Sequence, residues 1–130
     1  MLSKVKVASI TSNTQAEKTK IKLMASGEFT KVKSIIFNDS IDVERLEEDI
    51  IVINILDLYP SRSFHEWLIK LAQQVKDIWA DKQIFIYDPA SIIVMQPNPQ
   101  RLILTEAFYV TSDIKFIQQA IQTVVVKSLF

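Results

Sequence analysis

Short apolar runs alternate along this chain with longer segments whose apolar residues recur at helical spacing. The run "VKVASI" (5–10) predicts a first strand that stops at the polar "TSNTQ". A basic helical segment, "AEKTKIKLMAS", follows, with Ala16, Leu23 and Met24 as its inner face and Gly27 at its exit. "VKSIIF" (32–37) predicts a second strand, after which "NDS" offers a helix cap before "IDVERLEE". The stretch "IIVINILDL" (50–58) is nearly continuous in aliphatic residues, the pattern of a strand buried on both faces. "SFHEWLIKLAQQVKDIWADK" predicts the clearest helix: Phe64, Trp67, Leu68, Leu71, Val75 and Ile78 form one stripe, and Ser63 with Glu66 forms a capping box. "QIFIY" (83–87) is a fourth strand and "AFYV" a fifth. "SDIKFIQQAIQTVVVKSLF" closes the chain as a helix facing inward through Ile114, Ile117, Ile121, Val124 and Val125. Between the last two strands, "SIIVMQPNPQRLILTE" (91–106) reads as a hairpin or extended loop, because two prolines oppose a continuous helix.

Strands that alternate with helices predict an α/β fold with an open sheet covered on both faces. Right-handed crossovers favour a flavodoxin-like three-layer αβα arrangement, its five-stranded, mostly parallel sheet ordered 2-1-3-4-5. The fourth helix is expected to give way to the extended or hairpin segment. Ligand-binding residues in such sheets lie outside the carboxyl ends of the strands. That rule singles out Thr11, Ser12, Asn13, Asn38, Asp39, Asp57, Asp88 and Thr111.

Composition narrows the function. The 130 residues fit one domain, 1–130, and 48% hydrophobic with 23% charged residues describes a soluble globular chain. Fifteen basic and fifteen acidic side chains cancel, so no net field favours nucleic acid or an anionic membrane. The absence of cysteine removes disulfides and thiolate chemistry. Gly27 is the one glycine, so no Walker loop or G-x-G-x-x-G turn can be written. No signal-peptide pattern and no membrane-length apolar run is present, and a cytoplasmic location is expected.

Three stretches carry a resemblance. "INILDLYP" resembles the third strand of the receiver domain of two-component response regulators, with Asp57 at the phospho-acceptor position and the turn at Pro60. "IFIYDPAS" is similar to that family's fourth strand and following turn. "FYVTSDIKFIQQAI" is similar to its fifth strand and last helix, with Phe108 at the aromatic switch position. The resemblance implies an acidic pair after the first strand, a Thr or Ser after the fourth and a lysine after the fifth. This chain has Thr11 and Ser12, Asp88, and Thr111 followed by Ser112 at those places. Phosphoryl transfer to a carboxylate needs a cation to neutralise developing charge, and magnesium prefers carboxylates to hydroxyls. The resemblance therefore implies a pseudo-receiver: a non-catalytic signalling module without cofactor or metal, acting through protein contacts and independent of phosphorylation.

Its expected partner is a protein, such as a regulator or kinase, or a second copy. The expected contact surface is the 91–104 segment together with Phe108 beyond it, through Ile92, Ile93, Val94, Met95, Leu102, Ile103 and Phe108. Two rivals stay open. "IIVINILDL" followed by "PSRSF" also resembles the central strand and phospho-serine loop of STAS-like anti-sigma-antagonist domains, switched at Ser61 or Ser63. A weak magnesium-dependent hydrolase would use Asp57 with Asp88, the second carboxylate raising the first one's pKa if the two are close. His65 reads as an exposed helix-start residue, and Lys18, Lys20 and Lys22 as a solvated face or an electrostatic docking surface.

Overall fold

The computed structural model describes residues 5–27, 30–78 and 82–128, the side chains of 76–78 and 125–128 excepted. Expectations for Ile78 and Val125 therefore lie outside the described side chains. Strands β1 (Val5–Thr11), β2 (Thr30–Ile36), β3 (Ile50–Asn54), β4 (Gln83–Tyr87) and β5 (Tyr109–Thr111) form one sheet in the order β2-β1-β3-β4-β5. All four neighbouring pairs are parallel, with Val7 opposite Ile50, Ile51 opposite Ile84 and Phe85 opposite Tyr109. Helices α1 (Ala16–Met24) and α4 (Ile114–Ser128) share a core with one sheet face through Leu23, Ile117 and Ile121. Helices α2 (Arg62–Ile78) and α3 (Asn98–Ala107) cover the other through Phe64, Leu68 and Leu104. This is the three-layer flavodoxin-like arrangement with the expected strand order.

Strand β3 shows why two layers are needed. All five of its residues are buried. Ile51 and Ile53 join the α2/α3 core, and Ile50 and Val52 join the α1/α4 core. The strand ends at Asn54, four residues before the expected limit, and residues 55–60 turn away beneath α2.

Four local expectations need correction. The 91–106 segment is not a hairpin: after a short 3-10 turn, Ile93–Met95, it forms the ten-residue helix α3. Pro97 caps the helix and Pro99 sits in its first turn, where backbone N–H groups have no intrahelical acceptor, so neither proline interrupts it. The segment that lacks a helix is instead 38–49, which holds only the 3-10 turn Val43–Arg45. Glu47, Glu48 and Asp49 would have stood at the carboxyl end of a helix there, where the macrodipole disfavours negative charge. Asp42, accepting from the Glu44 N–H, caps the single turn in its place.

On α1, Ala16, Thr19 and Leu23 face inward while Met24 is exposed, because Met24 lies a further ~100° round the helix from Leu23. The α2 cap is Ser61, whose Oγ accepts from the Phe64 N–H at 3.3 Å; Ser63 lies inside the helix.

The missing helix is written into the sheet. Lys6, Lys31 and Lys33 are exposed on the β1/β2 part of the face that α2 and α3 cover elsewhere, and they alternate with the buried Val5, Val7 and Val32. A strand covered on one side alternates in this way, whereas one covered on both sides does not. The loop above is pinned instead of packed: the Trp67 Nε1–H donates to the Ile41 carbonyl at 2.9 Å, and Lys82 Nζ donates to the carbonyls of Leu46 and Glu48.

Ile103 lies mid-helix on the exposed side of α3, so its side chain adds little to the core. Ile103→Pro should cost about 3 kcal/mol relative to Ile103→Ala, by removing a helical hydrogen bond and clashing with the preceding turn. Urea denaturation checks this; a proline tolerated there would mean the segment is extended.

Candidate functional site

Four chain segments converge outside the carboxyl ends of the strands: the loop after β1, the turn after β3, the turn after β4 and the turn after β5. Thr11 ends β1 fully buried, and its hydroxyl has no partner among the described residues. Ser12 follows, half-buried, its Oγ 3.1 Å from Thr14 Oγ1. The chain then coils through the 3-10 turn Asn13–Gln15 into α1. Asn38 and Asp39 lie beyond β2, where the Asn38 side chain accepts from the Ser40 N–H and makes a local turn.

Asp57 is exposed and stands three residues beyond the end of β3, with φ of 67°. This left-handed conformation costs most residues about 1–2 kcal/mol, and Asp is among the few that tolerate it. Its Oδ2 accepts from Thr14 Oγ1 at 2.9 Å and from Gln15 Nε2 at 3.3 Å. The carboxylate thus clips the β3 turn to the loop leading into α1. Both donors are neutral, so they orient the carboxylate without neutralising charge that would build on it.

Asp88 has a different environment. It is 2% exposed, and its two oxygens accept from the N–H groups of Ile92 and Ile93, each at 2.8 Å. Its own N–H donates to the Thr111 carbonyl at 2.8 Å, extending the β4–β5 ladder by one residue. Asp88 is therefore the keystone of the turn that carries the chain towards α3. Thr111 Oγ1 accepts from the Asp113 N–H, and Asp113 in turn accepts from Lys115 at the start of α4. Asp57 and Asp88 each have their own local donors, and among the described residues no three His, Asp or Glu side chains stand as a metal-holding group.

Asn54 is the buried polar residue that occupies the end of β3. Its Nδ2 donates to Thr19 Oγ1 at 3.0 Å and its Oδ1 accepts from the Leu56 N–H at 3.0 Å. The amide ties the sheet to α1 and sets the first bend of the following turn. A lone amide within "IIVINIL" was the available signal, because a buried amide must find partners. Beneath α1 and the turn after it, the hydroxyls of Ser9, Thr11, Ser26, Thr30 and Ser34 are screened from solvent without a partner among the described residues.

His65 is half-buried instead of exposed. Its ring packs edge-on against Tyr59 at 4.2 Å, and its Nε2 bonds the Tyr59 carbonyl. Ser61 and Ser63 lie 3.0 Å apart through their hydroxyls. The proposed contact residues divide in two. Val94, Met95, Leu102 and Ile103 are exposed, whereas Ile93 and Phe108 are core residues and Ile92 packs against that core. A turn capped by Asp88 draws Ile93 inward, which the apolar run could not reveal.

Burial, with the Asp88 carboxylate second, raises the Tyr59 hydroxyl above its ordinary pKa; burial, then Asp113, does the same for Tyr87.

No protein-family model and no curated protein matches the chain. Among solved structures it is similar to a signal receiver domain of two-component signal transduction (histidine kinase) from Clostridium thermocellum. The TM-score is 0.54 and the identity 15%, over 92% of this chain and 96% of that one. The likeness is one of fold, and it spans nearly all of both chains.

Asp88→Ala would leave one buried and one part-buried N–H group without acceptors and should cost about 3 kcal/mol, whereas Asp57→Gly should fall within about 1 kcal/mol of the parent, because glycine accepts the positive φ freely. Chemical denaturation of both variants measures the contrast. Raised tyrosine pKa values also fix a pH trend: their stabilisation is complete below pH about 10 and is lost as pH rises through the folded-state values. Unfolding midpoints between pH about 8.5 and 11.5 should fall less steeply in Tyr59→Phe than in the parent.

Proposed function

We propose that this chain is a receiver-like signalling module that works through protein contacts and does not use Asp57 as a phosphoryl acceptor. The observation that carries the reading is the engagement of Asp88. The resemblance to receivers implies a free hydroxyl at that place to bind a phosphoryl group, and here a buried carboxylate has both oxygens on backbone amides. An incoming phosphoryl group would meet negative charge there instead of a donor. Thr11 and Ser12 supply no carboxylate beside Asp57, and its neighbours Thr14 and Gln15 are neutral. In-line phosphoryl transfer relies on positioning and charge neutralisation, and this crevice supports the first without the second. The module then acts by presenting a surface. The exposed apolar side chains Val94, Met95, Leu102 and Ile103 are the surface we assign to a protein partner.

The rivals have less support. Strands β1 and β2 are parallel and joined through α1, unlike the paired opening strands of a STAS-like domain, and Ser61 caps α2. A hydrolase using Asp57 and Asp88 would need both carboxylates free to act, and each is held by its own donors.

An amide NMR titration with magnesium and then with beryllofluoride, a phosphoryl mimic, tests the proposal. The expected result is unchanged resonances for Thr14, Gln15, Asp57, Asp88 and Thr111. Saturable shifts in that set, absent in Asp57→Asn, would return a phosphoryl-driven switch as the mechanism.

A further inference from the structure

The missing crossover helix leaves an open groove of about 430 Å³ between the 39–44 loop and α2. Its floor includes Ile41, Val43, Trp67 and Leu71, and the Trp67 indole is fixed there by its bond to the Ile41 carbonyl. Asp39, Asp42, Glu44 and Glu66 rim it, with Lys70 as the one cation among the lining side chains. Half-buried Ile41 and an aromatic anchor, Trp67, within an acidic rim give the makeup of a docking groove for a basic amphipathic helix.

The chain carries such a helix. On its outer side α1 exposes Ile21 (64%) and Met24 (50%), large apolar residues that its own core leaves unused. Lys18, Lys20 and Lys22 accompany them, opposed by Glu17 alone. The dimensions agree: nine residues of α1 span about 13.5 Å, and the twelve-residue α2 wall from Ser63 to Gln74 runs about 18 Å. Groove and helix lie on opposite faces of the sheet, so one molecule cannot satisfy both.

We propose that α1 of one copy docks in the 39–44/α2 groove of the next, giving head-to-tail self-association. Ile21 and Met24 meet the Trp67 floor, and the lysines face Asp39 and Glu44. Two of the rim acids already have intramolecular partners, Asp42 with Arg45 at 3.3 Å and Glu66 with Arg62 at 3.1 Å, which leaves Asp39 and Glu44 as the acids answering the incoming lysines. Such an interface is heterologous, so each copy keeps one free helix and one free groove, and chains or rings grow with concentration. The proposal uses neither Asp57 nor the Val94–Ile103 surface, so it stands or falls separately from the function proposed above.

Sedimentation velocity on the whole chain tests it, with circular dichroism to show that each variant is folded. The parent should form species beyond the dimer as concentration rises. Raising ionic strength from about 0.05 M to about 0.5 M should weaken association at least ~10-fold. The double variant Lys18→Glu/Lys22→Glu and the double variant Asp39→Lys/Glu44→Lys should each be weakened to a similar degree. The deciding sample combines all four substitutions in one chain, which reverses both surfaces and should restore association. A parent that is monomeric at all concentrations would overturn the proposal. So would self-association that persists in both double variants, or a fourfold variant that remains monomeric.

Discussion

Strand β3 has no exposed side chain, and in water such a strand exists only if something covers each of its faces. The rest of the molecule follows from meeting that demand. Parallel neighbours on both sides require crossovers, and the crossovers supply the covering helices: α1 and α4 for Ile50 and Val52, α2 and α3 for Ile51 and Ile53. Because β3 is central, its carboxyl end is also where the loops from β1 and β4 converge. The crevice is therefore a geometric result of burying this strand, whatever chemistry occupies it.

The residues in that crevice have taken structural work. Asp57 joins the turn after β3 to the start of α1, Asn54 joins the strand itself to the same helix, and Asp88 builds the turn towards α3. Asp57 Oδ2 and both Asp88 oxygens are engaged by nearby neutral donors, which orient the carboxylates without offsetting their charge. A site that has to receive a phosphoryl group or a divalent cation keeps oxygens and charges available for it. Here the polar groups that would be drawn on for such chemistry hold the loops in place. That division fits a domain whose information is carried on its outer surfaces.

Much of the fold was legible in the sequence because it is driven by burial. The continuous run at 50–54, the stripe from Phe64 to Leu71 and the alternation of short strands with helices led to the strand order and the layers. What escaped was governed by single polar contacts. Proline in 97–99 looked like a helix breaker because its position relative to the first helical turn depends on where Asp88 ends the preceding turn. The acidic stretch 41–48 looked like a helix because its apolar residues were counted and its charge gradient was not. The site was partly legible: the rule of strand carboxyl ends found Thr11, Asp57, Asp88 and Thr111, while Asn54 was passed over inside an aliphatic run. The lysines of β1 and β2 already recorded that one crossover leaves the sheet uncovered.

The two faces of the sheet are not equally cohesive. Under α2 the contacts are aliphatic and aromatic, whereas under α1 and the turn after it the apolar core around Leu23 is interrupted by five hydroxyls, those of Ser9, Thr11, Ser26, Thr30 and Ser34, shut away without a partner among the described residues. Separating apolar surfaces exposes them to water at a cost, but releasing trapped hydroxyls recovers hydration. The molecule is thus built like a book with one glued cover and one loose one. Opening of the α1 layer would let those hydroxyls rehydrate, which offsets part of the cost of exposing Leu23 and its apolar neighbours. Any surface borne on α1 therefore sits over the less apolar of the two layers, and clasping it would hold that layer closed.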